Sequence, residues 1–266
     1  MKKYYKFIQI AFKDRLAYRF EYFLGIVGIL FLFLAQLFLW RALLGQSQLT
    51  STNTGIVTLK EMTTYVFIAM VIGIIIKNNI IENISNRIRN GLIAMDLIKP
   101  LNFKTFLFFD MIGRSLFNFV FQLLPVLVLG LIFLPIAYPS LLNFILFCLS
   151  LVGAVVIVFL LSFCLGLLAF WYTSIWQVNI LLWTLIALFS GRTIPLWFFP
   201  KILLNISNFL PFRLMYFAPT SIFLGKVDLG ESMFLLIQQL IWILILFGLT
   251  KLIWHTAIKK LVIQGG

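Results

Sequence analysis

Charge is scarce in this chain. Its 266 residues include 21 Lys and Arg and only 8 Asp and Glu, 11% in all, against 62% hydrophobic residues that include 30 Phe. So few charged side chains could not cover that apolar surface in water. A soluble globular domain is excluded, and lipid is the natural solvent. Histidine occurs once, as His255. No H-E-x-x-H, no G-x-S-x-G and no Cys/His cluster of metal spacing is present, so the usual hydrolase chemistries lack their residues. Ser190-Gly191 stands without the strand–turn–helix setting or the base that a nucleophile elbow needs. The phosphate loop is missing too: Gly225-Lys226 is followed by Val227, so the chain cannot hydrolyse ATP on its own. Cys148 and Cys164 fall in one apolar run, roughly 24 Å apart along a helix, too far for a disulfide. They read as apolar packing residues. No low-complexity linker or charge-rich soluble stretch interrupts the chain, which implies one membrane domain over residues 1–266.

The charges that are present have a pattern. The net charge of +13 collects at the ends of apolar runs, where basic residues set topology and meet anionic head groups, rather than in a nucleic-acid-binding patch. Residues 2–19 carry Lys2, Lys3, Lys6, Lys13, Arg15 and Arg19. At helical spacing Lys2, Lys3, Lys6, Gln9, Lys13 and Asp14 share one arc. Tyr4, Tyr5, Phe7, Ile8, Ala11, Phe12 and Leu16 share the other, and Ile10 and Arg15 break the pattern. The reading is a basic amphipathic helix lying in the membrane interface, with a positively charged tail that only sets topology as the alternative. The first apolar run, about 22–40, is too long for a signal-peptide core and lacks a small-residue cleavage site, so it reads as a retained span.

Apolar runs long enough to cross about 30 Å of hydrocarbon are expected near residues 21–43, 62–81, 104–134, 142–170, 174–191 and 232–254. On the side of both termini lie Lys2, Lys3, Lys6, Lys13, Arg15, Arg19, Lys77, Arg87, Arg89, Lys99, Lys104, Lys251, Lys259 and Lys260. They outnumber Arg41, Lys60, Arg192, Lys201, Arg213 and Lys226 on the other side. The bias places both termini in the cytoplasm, as an even number of spans requires. The segment 192–231 is apolar and aromatic but contains Pro195, Pro200, Pro211 and Pro219, which no straight helix tolerates. Two short helical pieces that dip into the outer leaflet without crossing are expected there, packed against the spans or a partner. A loop anchored by interfacial aromatics is the alternative. Within the spans, Asp110 and Arg114 stand four residues apart and can pair on one helix face. Together with Lys77 they are the residues on which an ion-coupled carrier or channel would rest, yet the span centres hold no carboxylate for a proton relay.

The remaining charged island is NRIRNGLIAMDLIKP, residues 86–100, in the loop 82–103. Asn83 or Ser85 can cap a helix, Ile84, Ile88, Leu92 and Met95 recur at near-helical spacing, and Lys99-Pro100 closes it. The reading is one short amphipathic helix with its apolar face on the spans and Arg87, Arg89 and Asp96 available to a soluble partner. A helix that only rests in the head groups is the alternative.

Ile88-Arg89-x-Gly91 followed by Leu97-Ile98-Lys99-Pro100 resembles the loop after the second span of ABC-2 type permeases, the membrane subunits of ABC exporters. The resemblance is to a subfamily of small six-span permeases of poorly known substrate. Ser190-Gly191-Arg192-x-Ile194-Pro195-Leu196, Phe199-Pro200, Leu210-Pro211-Phe212, Pro219 and Leu224-Gly225 are similar to that family's segment between the last two spans. The N-terminal helix and, more faintly, Gly265-Gly266 are similar as well.

The resemblance implies a fold: an all-α integral membrane protein of six transmembrane helices, like a type V ABC exporter, with an interfacial connecting helix at 2–19. It implies that Arg87, Ile88, Arg89, Gly91, Asp96, Lys99 and Pro100 belong to a coupling helix received by a separate ATP-binding subunit. Re-entrant helices would cap the outer end of the path, with Arg192, Pro195, Trp197, Phe198, Phe199, Pro200, Pro211, Phe212 and Pro219 in them. It further implies a dimer of permeases, of like or related chains, in a bacterial plasma membrane. This chain would bind no cofactor, with ATP and Mg held by the ATPase partner. The Phe-rich, charge-poor composition points to export of an amphipathic or hydrophobic substrate, a drug, peptide or lipid-like molecule.

Overall fold

A computed structural model of the protein describes residues 2–17, 19–44, 49–51, 55–98, 102–172 and 175–260. Helix α1 runs Lys2–Ala17 and α2 Arg19–Leu44. A small antiparallel hairpin follows, β1 Leu49–Ser51 paired with β2 Gly55–Val57, with Leu49 opposite Val57. Helix α3, Leu59–Ile76, starts at a capping box in which Thr58 Oγ1 accepts from the Glu61 N–H (3.3 Å) and Glu61 Oε2 accepts from the Thr58 N–H (2.9 Å). Two of the orphan donors at the helix start are thereby satisfied. Then come α4 Ile80–Arg89, α5 Leu92–Ile98, α6 Phe103–Asn118, α7 Leu124–Phe133, α8 Leu141–Gly166, α9 Trp176–Phe189, α10 Lys201–Phe209, α11 Phe217–Leu224 and α12 Leu229–Ile258.

Helices α6 and α7 are one rod joined through a π-helical turn, Phe119–Leu123. Pro125, just inside α7, explains the wide turn, because it has no N–H for the α-helical ladder. Among the described residues, five runs are long and apolar enough to cross a membrane: Gly25–Leu44, Leu59–Arg89, Phe103–Phe133, Leu141–Phe170 and Leu229–Ile258. The expected span at 174–191 is shorter than anticipated. Helix α9 has 14 residues, about 21 Å at the α-helical rise and less than the hydrocarbon thickness.

Helix α3 is the most enclosed of the long runs. Tyr65, Met62, Phe67, Ile72 and Ile76 on it are essentially inaccessible, covered by α2, α8 and α11. In contrast α2 and α12 turn Phe31, Phe38, Leu244 and Leu252 outward, as helices do that face lipid tails rather than water. A buried amide ties α8 to α12: Gln239 Nε2 donates to the Ser150 carbonyl (2.9 Å), to Ser150 Oγ (3.0 Å) and to the Leu214 carbonyl (2.9 Å).

The amphipathic character expected of α1 is visible in its packing. Phe7 meets Phe106 edge-on at 4.9 Å, Phe12 meets Phe117 at 5.6 Å, and Ala11 is buried. The apolar face lies on α6. Gly113 permits that contact, since a Cβ there would stand 2.6 Å from the Ile8 carbonyl oxygen. Lys6 and Lys13 are exposed and Ile10 is outward, as its break in the pattern implied. The side chains of Lys2, Lys3 and Arg15 lie outside the described part.

Candidate functional site

The charged island is not one helix. Helix α3 stops at Ile76, and Lys77 leaves the helical region at ψ 124°. Asn78 bridges the break, donating from Nδ2 to the Ile76 carbonyl (3.3 Å) and accepting at Oδ1 from the Ile80 N–H (3.2 Å). The next helix therefore begins at Ile80, ahead of the Asn83 and Ser85 expected to cap it. Ile80, Ile81 and Ile84 are buried, with α4 lying against α8.

At Asn90-Gly91 the chain turns, with Gly91 at φ +70°. That left-handed conformation costs a residue bearing a Cβ about 1–2 kcal/mol. The turn inverts the face that α5 presents. Leu92, Met95 and Ile98 are exposed, Ile98 by 84%, whereas Ile93 and Asp96 are buried. Asp96 is thus an inward staple rather than an outward contact. It accepts an ion-paired hydrogen bond from Arg87, whose Nε donates to Asn83 Oδ1 (2.9 Å) and whose guanidinium lies 4.9 Å from the Phe106 ring centre. Ile88 is half-buried, and Arg89 is exposed with a hydrogen bond to Asn86 Oδ1 (2.9 Å). Lys99 and Pro100 lie outside the described residues.

Behind this corner is a cavity of about 580 Å³ between α2, the α3–α4 junction and α6. Its walls include the carboxamides of Asn78, Asn79, Asn83, Asn86, Asn118 and Gln122, together with Lys77, Glu82, Arg87, Asp110 and Arg114. The Asp110–Arg114 pair forms as the four-residue spacing predicts, Nε to Oδ2 at 2.9 Å, with Asp14 of α1 at 4.0 Å from the same guanidinium. These amides carry no charge to mark them in the sequence, and the site is not one expected from it. Asn118 and Gln122, four apart in an apolar run just before Pro125, were the readable signal.

The proline-rich segment gathers at the opposite end of α3. The Tyr65 hydroxyl donates to the Gly191 carbonyl at 2.7 Å, and the Phe217 N–H donates to the Ser190 carbonyl at 3.0 Å. Trp197 meets Tyr65 and Phe217 edge-on at 5.2 and 5.7 Å, Phe198 stacks on Trp40 at 5.4 Å, and the Arg192 guanidinium sits 5.8 Å from the Tyr216 ring. Pro195 precedes a 3₁₀ turn at Leu196–Phe198, Pro200 caps α10, Pro211 opens a second 3₁₀ turn and Pro219 sits in the first turn of α11. Each proline occupies a place where its missing N–H interrupts nothing. Two helical pieces broken at prolines are present, as expected. Helix α11 is buried with Pro219 inside it, Phe199 and Phe212 are buried too, and α10 leaves Ile202 and Phe209 exposed. The Lys226–Glu61 ion pair (2.6 Å) ties the end of this segment to the start of α3. Arg213 hydrogen-bonds Asn208 and Gln238, and burial pulls its guanidinium below its usual proton affinity while Glu231 opposes that.

A family model described as ABC-2 family transporter protein matches residues 24–265. The chain belongs to that family. No curated protein matches it. ABC-2 permeases are in general non-catalytic membrane subunits that work with an ATPase subunit. The broken second run, the proline-rich segment and the apolar rods described above are therefore those of an ABC-2 family membrane protein.

Proposed function

We propose that this chain is the permease subunit of an ATP-driven exporter, working as a dimer of like or related chains with a separate ATPase that holds ATP and Mg. The observation that carries the reading is the cornered unit α4–α5. It is stapled by Arg87 and Asp96, seated on α8 through Ile80, Ile81 and Ile84, and it presents Leu92, Met95 and Ile98 outward. An exposed apolar patch on a rigid corner suits docking into a groove of a soluble partner, because it supplies binding area without a charge to desolvate. A push on α5 would pass through the staple to α4 and from there to α8 and the break at Lys77. The contacts offered to the ATPase are then chiefly apolar, with Arg89 beside them.

In this reading both termini lie in the cytoplasm, and α9 makes a sixth crossing with local thinning of the bilayer. Residues 192–224 cap the outer end of the path, and α1 is the connecting helix beside the coupling corner. The substrate is amphipathic or hydrophobic.

The test is recovery of an ATP-binding subunit with the affinity-purified chain from native membranes. Met95→Asp and Ile98→Asp are expected to lower that recovery about tenfold or more, since an unpaired charge enters an apolar contact. Wild-type chain that brings down no ATPase would end the exporter reading. Transport by the chain alone in liposomes, driven by a pH or voltage gradient, would instead favour an ion-coupled carrier.

A further inference from the structure

The cavity at the α3–α4 junction is unusual in a protein this apolar, because polar side chains line it that have no task in holding the fold. Gln122 is 7% exposed as a residue, lines the cavity, and makes no hydrogen bond among the described residues, its amide remaining accessible there. Asn118 Oδ1, one helical turn away, is buried without a partner. A buried carboxamide oxygen left unsatisfied costs free energy, and the accessible Gln122 amide beside it is free to meet a ligand. The π-helical turn that carries Gln122 adds a residue to the helical turn there, a distortion often found at functional sites.

The charges in the walls narrow the ligand. Arg87 is paired with Asp96, and Arg114 with Asp110 and, at 4.0 Å, with Asp14. Lys77 and Glu82 make no ion pair among the described residues, and both border the cavity. One free cation, one free anion and several amides that donate and accept match a zwitterion better than a strongly anionic or an uncharged molecule. Beside Gln122 the cavity is bordered by α2. Gly25 of α2 has no side chain to fill the gap, and Phe119, Val120 and Phe121 on the same turn are exposed apolar surface along which a tail can lie.

We propose that this cavity binds the zwitterionic headgroup of an amphiphile, with Lys77 meeting its anionic group, Glu82 its ammonium, the Gln122 amide donating to an oxygen between, and Asn118 Oδ1 accepting from a donor of the headgroup or a bridging water. A volume of about 580 Å³ falls in the range of small-molecule sites. The proposal deepens the exporter reading by naming a substrate class, but the binding itself needs no ATPase.

The experiment uses the full chain in nanodiscs of phosphatidylglycerol, titrated with lysophosphatidylethanolamine carrying a fluorophore on its acyl chain. Saturable binding is expected, displaced by unlabelled lysophosphatidylethanolamine. Lys77→Gln should weaken it about tenfold and Gln122→Leu several-fold, as loss of a charged and a neutral hydrogen bond would. Lys77 is exposed, so its variant reports on binding even if Gln122→Leu does not fold. Free phosphoethanolamine competing equally would identify a soluble zwitterion as the ligand, and competition by the lyso form alone would identify a lipid. The proposal is overturned by absence of saturable binding, by equal displacement with lysophosphatidylglycerol or octyl glucoside, or by unchanged affinity in Lys77→Gln. Because no ATPase is present, this result stands or falls apart from the co-purification test.

Discussion

At the scale of single residues, the sharpest statement concerns Asp96. A charged residue in a loop invites the reading that it faces water, yet its side chain is buried against Arg87. Removing the carboxylate as Asp96→Ala strands a guanidinium that is itself only about a quarter exposed. The expected loss is about 1–3 kcal/mol, below the figure for a fully buried pair because solvent still reaches Arg87. The measurement is thermal unfolding of the purified chain in detergent, and a Tm equal to wild type would show that the staple contributes nothing. Gly91→Ala should cost about 1–2 kcal/mol for a different reason, namely the positive φ that the turn imposes. If Gly91→Ala is silent while Gly91→Asn destabilises, the turn does not need the left-handed conformation in solution.

Between helices, the decisive contact is the one α1 makes with α6. A Cβ at Gly113 would lie 2.6 Å from the Ile8 carbonyl oxygen, and a backbone atom cannot step aside as the tip of a side chain can. Gly113→Ala is expected to push α1 off α6 at a cost of about 1–3 kcal/mol and to speed tryptic cleavage at Lys13. Unchanged cleavage would mean that α1 holds to lipid rather than to the bundle. The sequence made α1 legible as amphipathic because a 3.6-residue period survives whatever covers the apolar face. It could not say that another helix covers that face. The same limit explains the loop 82–103. Ile84, Ile88, Leu92 and Met95 keep helical spacing through Gly91, so periodicity joins them into one face. The positive φ at Gly91 then sends Leu92 and Met95 out and Asp96 in. A single dihedral angle, invisible to periodicity, reverses what the element offers. The prolines of 192–231 were more readable, since each forbids a helix interior wherever it stands. The amide-lined cavity was less so, because Asn and Gln carry no charge to mark them in a hydropathy profile.

For the whole molecule, α3 reaches both functional regions, as does α8, which packs on α4 and on α11. Tyr65, near its start, holds the Gly191 turn, and its end at Ile76 leads through Asn78 to the stapled corner. The twelve residues from Tyr65 to Ile76 make roughly 16 Å of helix, and most residues of α3 are buried. A buried rod of this kind is a route by which one end can sense the other, but position between two sites is not coupling. The distinction can be measured with Tyr65→Phe and Asp96→Asn, each of which deletes one interaction while preserving shape. Tyr65→Phe should lose about 1 kcal/mol, the net worth of one buried hydrogen bond. Sites this far apart with no shared partner should add in stability to within about 0.5 kcal/mol, so unfolding of the double variant should equal the sum of the singles. ATP turnover of the assembled complex should behave otherwise if α3 transmits. Once either end is loosened, loosening the other removes little more, and the effects on substrate-stimulated turnover fall short of the product of the singles. Additivity in both measurements would leave α3 a structural post and move the search for transmission to the α4–α8 contact. Non-additivity in stability as well would mean that the two ends communicate without any ATPase present, through the fold itself.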